Sequence, residues 1–133
     1  MTRDTVVRVS GTWAHEDCDP SPGSGRQAIQ IRQTPLRPSE ICIFCGNGFP
    51  LRCFTLDALA EDAIYLSRQA GEFHDMATNW HRQGMTEAVG GARRARNLIE
   101  QRMDRIALYA VKTYGQEKWL GALYVVTQKL ERI

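Results

Sequence analysis

The residues best suited to chemistry in this chain are its four cysteines, Cys18, Cys42, Cys45 and Cys53, all in the first half of the 133 residues. Cys42-Ile43-Phe44-Cys45-Gly46-Asn47-Gly48 places two thiols where one tight turn can offer both to a single metal ion. A glycine directly after the second cysteine allows the positive φ that turns backbone N–H groups toward sulfur.

This segment resembles a zinc knuckle, a metal-binding turn shared by many unrelated families. One knuckle supplies half of a tetrahedral site. The other half must come from His15, Cys18, Cys53, His74 or His81. His74 lies 21 residues beyond Cys53, which is ~30 Å along a straight helix, too far for the two to share an ion. Two sets remain: Cys18/Cys42/Cys45/Cys53, and the alternative in which His15 replaces Cys53. The four-cysteine set is preferred, because it leaves no free thiol and thiolates suit a closed structural Zn2+ site. A redox CxxC motif would sit at a helix N-terminus, where the first thiol is acidified. Here the second cysteine runs into Gly-Asn-Gly instead.

Catalytic constellations are weak. His15-Glu16-Asp17 followed by Cys42-x-x-Cys45 resembles the zinc-deaminase pattern H-x-E…P-C-x-x-C, but Asp17 stands where the glutamate belongs and Ile41 where the proline belongs. His74-Asp75 lacks the further His and Asp of a metal-dependent phosphohydrolase. No Gly-x-Ser-x-Gly or phosphate loop occurs. The expectation is a non-enzyme, with a zinc-dependent enzyme as the distant alternative.

A second feature is basic. Arg93, Arg94, Arg96, Arg102 and Arg105 stand against Glu100 and Asp104 in a chain whose formal charge is only +2. Helical spacing puts Arg94, Gln101 and Arg105 on one face. With Arg93, these are the candidate partner-binding residues, for acidic side chains or phosphates. Pairing of Arg96 with Glu100 would reduce the excess.

The elements that must position these groups divide at about residue 54. All five prolines precede residue 51. Thr5–Trp13 reads as a strand, residues 19–25 as a loop, Ala28–Ile31 as a second strand, and Ile41–Phe44 as a third extended piece. Beyond it, Thr55 is a candidate helix cap. Leu59, Ala63, Leu66, Ala70, Phe73, Ala77 and Trp80 then form a heptad seam. Gly84 is a stop and Thr86 a new cap. Met85, Ala88, Ala92, Ala95, Ile99, Met103, Ile106 and Ala110 form a second stripe. It crosses Gly90-Gly91, so either the helix starts later or another backbone approaches there. Trp119, Leu123, Val126 and Leu130 predict a third helix, with a strand at Leu123–Thr127 as the alternative.

The predicted architecture is α+β: a small zinc-stabilised β-rich region, residues 1–54, packed on a three-helix bundle, residues 55–133, with a long antiparallel helical hairpin. A 43% hydrophobic and 24% charged composition argues against disorder. The opening MTRDTVVRVSGTW has no signal-peptide core, and no apolar run reaches the ~18 residues of a membrane span, so the expected location is cytoplasmic. The expected function is binding: a small interaction protein of the size common in phages and mobile elements, which docks on and modulates or inhibits a larger protein or nucleoprotein complex. The alternative is a nucleic-acid-binding transcriptional regulator using the arginine helix. A homodimer is left open.

Overall fold

The structure, a computed structural model, describes residues 4–20 and 26–131. It contains a three-stranded antiparallel sheet and three α-helices. The chain divides into two compact units, Met1–Leu59 and Ala60–Ile133.

In the first unit, β1 (Thr5–Val9) and β2 (Thr12–His15) form a hairpin. The predicted single strand Thr5–Trp13 is thus two strands. The break is Ser10-Gly11, both at positive φ (51° and 81°). That is the backbone of a two-residue hairpin turn whose twist matches the strands on either side. The register pairs Val6 with His15 and Val9 with Thr12, and β3 (Ile29–Gln30) pairs on the other edge of β1 through Val6↔Ile29. The second predicted strand is shorter than expected because Ile31–Gln33 closes into a 3-10 turn before Pro35. The predicted loop over 19–25 lies outside the described residues beyond Pro20. Ile41 and Gly48 form an isolated antiparallel bridge, so the third extended piece closes on itself. Val6, Ala14, Ile31, Cys42 and Phe49 are among the fully buried side chains.

α1 (Leu56–Arg82) begins where Thr55 caps it, its hydroxyl oxygen accepting the Ala58 N–H at 3.1 Å. Its first turn belongs to the first unit. The heptad seam is the inward face: Leu59, Ala63, Leu66, Ala70 and Ala77 are buried, and Phe73 and Trp80 half-buried. Gly84, at φ 73°, reverses the chain. Thr86 is the first residue of α2 (Thr86–Tyr114) rather than its cap. Met85 holds that position without a side-chain cap bond. α2 continues through Gly90-Gly91, and no second backbone among the described residues comes within 4 Å of a Cβ at either glycine. What lies over them is the Arg94 guanidinium, 3.4 Å from where a Gly90 Cβ would stand. Phe73, Ala77 and Trp80 of α1 pack with Val89 and Ala92 of α2. Gly115 alone separates α2 from α3 (Gln116–Glu131). Residues 123–127 are helical, with the Thr127 hydroxyl donating back to the Leu123 carbonyl at 2.8 Å. No helix among the described residues is long and apolar enough to cross a membrane.

Candidate metal centre

Two short pieces of chain make the site. The first is the end of β2. Strand geometry buries His15 fully, and a 3-10 turn at Glu16–Cys18 brings Cys18 back under it. The second is the Cys42–Gly46 turn. Its backbone is fixed by Gly46 N–H donating to the Cys42 carbonyl at 2.9 Å, with Gly46 at φ 72° as the spacing requires. Cys42 N–H donates to the Asn47 carbonyl at 2.9 Å. The pieces are tied together by Ile43 N–H donating to the Trp13 carbonyl at 3.2 Å and His15 N–H donating to Cys42 Sγ at 3.4 Å.

The outcome is a cluster of His15, Cys18, Cys42 and Cys45, whose candidate ligand atoms all lie within 4.8 Å of one another. His15 Nδ1 is 3.4 Å from Cys45 Sγ and 3.7 Å from Cys18 Sγ. Nδ1 is therefore the nitrogen that faces the sulfurs. The ring is held from the other side by Phe49, centroid to centroid 4.7 Å, and Nε2 is buried without a hydrogen-bond partner among the described residues. These four side chains could hold one metal ion.

The electrostatics of the thiols suit a cation. Burial alone would raise the Cys42 thiol. The backbone N–H groups of Cys45, His15 and Phe44 outweigh it and bring Cys42 down to about 6. Cys18 moves the other way, to about 11, through burial, hydrogen bonds to Cys45 and Cys42, and the negative charge beside it. One thiolate forms readily and opposes the next. A dication placed between them reverses that opposition.

The converging side chains are those of the His15 alternative, not the four-cysteine set. Cys53 stands apart in a 3-10 turn, Leu51–Cys53. It lines a hollow with Asp4, Gln30, Arg32 and Arg52, and its thiol is raised by burial, then by the Asp4 charge and a hydrogen bond to that carboxylate. All four cysteines are free of disulfides.

The remaining candidates sit on α2. Arg93, Arg94, Gln101 and Arg105 are exposed. Arg105 is nevertheless held below its ordinary value by desolvation. Arg96 is half-buried, its Nε 3.9 Å from Glu100 Oε1, the pairing anticipated from the sequence. Two features escaped the sequence reading. Ile41, Ile43 and Phe44 around the turn are exposed, at 40%, 49% and 43%. Arg96 also reaches across to His74 on α1, Nη1 to Nδ1 at 3.0 Å. Exposed apolar residues between two ligands, and the seven-residue step from His74 to His81, were the available signals.

No protein-family model, curated protein or solved structure matches the chain.

Proposed function

We propose that the chain is a zinc-dependent interaction protein that docks on a larger protein or nucleoprotein complex and modulates or inhibits it. The observation that carries this reading is the convergence of three thiols and one imidazole within 4.8 Å. A tetrahedral Zn2+ with Zn–S of about 2.3 Å and Zn–N of about 2.05 Å sets N···S edges of about 3.6 Å. The 3.4 and 3.7 Å separations from His15 Nδ1 bracket that value. A Cys3His set is a closed structural type with no position left for water, which favours binding over hydrolytic chemistry. Zinc would then hold β2 and the Cys42–Gly46 turn together, the stabilising role expected of it in the first unit. Free thiols of this kind fit a reducing compartment.

The working surface we assign is the tip of the turn, where Ile43 and Phe44 project between two ligands. Apolar side chains held out on a metal-fixed backbone lose little freedom on binding, which favours a protein partner. Phe49 is fully buried and belongs to the core instead. The test is affinity capture with nuclease-treated lysate, comparing the natural chain with Ile43→Asp/Phe44→Asp at equal zinc content. Loss of a specific protein partner with zinc retained supports the reading. Unchanged capture refutes it.

The nucleic-acid reading draws on the exposed Arg93, Arg94, Gln101 and Arg105. It predicts affinity that falls by orders of magnitude over a modest salt rise.

A further inference from the structure

Away from the metal centre, α1 and α2 enclose a groove of about 460 Å3 lined by His74, Ala77, Thr78, His81, Arg93 and Arg96. We propose that this groove binds the phosphate group of a small phosphorylated molecule. The inference uses the second unit alone and stands whether or not the first binds zinc.

No carboxylate among the described residues lines the groove. His74, Thr78 and His81 recur at helical spacing along α1, and Arg93 and Arg96 at i and i+3 on α2, so both walls are regular helix and present these groups on facing sides. Ala77, buried with Val89 and Ala92, forms an apolar floor.

The hydrogen-bond assignments leave donors. A guanidinium can only donate, so Nδ1 of His74 accepts from Arg96 at 3.0 Å. That fixes the His74 proton on Nε2, where it can be given to a ligand. Arg96 is ion-paired with Glu100 on its other side, but without a hydrogen bond. Glu100 is 3.9 Å from Nε, beyond hydrogen-bond length, and Nε is buried without a hydrogen-bond partner among the described residues. Glu100 and Asp75 line a neighbouring hollow. Arg93 makes no ion pair among the described residues. Thr78 adds no donor, because its hydroxyl donates to the His74 carbonyl at 3.1 Å. The set is two guanidiniums and two imidazoles on opposing walls.

Donors arriving from two walls suit a tetrahedral oxyanion better than a planar carboxylate, which one arginine fork satisfies. The volume falls in the range of small-molecule sites, enough for a phosphate with its organic substituent.

The test is calorimetric titration of the full chain at constant ionic strength with inorganic phosphate, a phosphate monoester such as AMP, and a single-stranded oligonucleotide. Saturable one-site binding of inorganic phosphate or the monoester is expected. Tighter binding of the monoester would show that the substituent is also held. Arg93→Gln, at an exposed position where folding is safe, should weaken binding roughly ten- to hundred-fold, the value of one charge-assisted contact. Arg96→Gln should weaken it similarly, and Lys112→Gln, farther along α2, should leave it unchanged. The proposal is overturned if neither phosphate ligand binds, if Lys112→Gln costs as much as Arg93→Gln, or if only the oligonucleotide binds.

Discussion

Cys45 Sγ lies 3.4 Å from His15 Nδ1 although thirty residues separate them in the chain. This contact joins the end of β2 to the Cys42–Gly46 turn, and both residues belong to the four side chains that could hold one metal ion. The purified protein should contain about one zinc per chain. His15→Ala and Cys42→Ser should each abolish stoichiometric zinc and destabilise the first unit, since structural zinc binding is coupled to folding. Cys53→Ser should keep its zinc and cost within ~1 kcal/mol, because serine can still donate to Asp4. Metal analysis of the three variants decides it. Zinc retained in His15→Ala and lost in Cys53→Ser would reverse the ligand assignment.

The metal-free protein, prepared with a chelator, should have a stability maximum near pH 9. Cys42 sits at about 6 in the folded state against an ordinary 9, so between these values the unfolded chain binds more protons and stability rises with pH. Cys18 sits at about 11 against 9, so there the folded chain holds the extra proton and stability falls as pH rises from 9 to 11. Cys53 is shifted in the same direction as Cys18. Urea unfolding at pH 6, 9 and 11 reads both slopes. A monotonic profile would show that the two thiols do not titrate in opposite directions.

The helical half was legible because its signal is redundant. The seam from Leu59 to Trp80 repeats over many turns, and each inward position confirms the others. The first unit rests on single residues. Ser10-Gly11 splits a run of β-branched residues that otherwise reads as one strand, and missing that turn hid where His15 ends up. Chain distance made Cys53 attractive, eight residues after Cys45. Pro50 and the 3-10 turn after it instead send Leu51 and Phe54 inward and Cys53 toward Asp4. The repeated x2 spacing, His15-x2-Cys18 beside Cys42-x2-Cys45, is the sequence signal that matches the four side chains brought together.

Glycine substitutions should separate sharply by backbone. Gly91→Ala should stabilise α2 by ~0.5–1 kcal/mol, since the position is helical and a Cβ meets only the flexible Arg94 tip at 3.9 Å. Gly46→Ala has open space around it but a φ of 72°, so it should cost ~1–2 kcal/mol and weaken zinc binding. Thermal melts with a zinc competition assay would measure both. A destabilised Gly91→Ala would mean that the Arg94 position over the glycines is needed.

Leu66 is 3% exposed at the centre of the α1 seam. Leu66→Ala should cost ~2–5 kcal/mol, the range for a truncated core leucine. Denaturant unfolding gives the value. A change under ~0.5 kcal/mol would fit an exposed position and remove the seam from the core.

Arg94 and Arg105 lie on one face of α2, yet they should respond differently to charge reversal. Arg94 is exposed over Gly90-Gly91 and makes no ion pair among the described residues. Arg105 is partly desolvated, which lowers its guanidinium from the ordinary value. Its charge is therefore maintained against a cost, and glutamate there would carry a desolvation cost of its own while losing the interaction the arginine makes. Arg94→Glu should leave the thermal midpoint within about 2 °C, and Arg105→Glu should lower it by several degrees. The pair also tests the partner-binding role of this face. A folded Arg94→Glu that loses a partner's affinity through a slower on-rate would place the arginine in recognition. Equal, small effects of both substitutions on melting and binding would make this face an ordinary solvated surface.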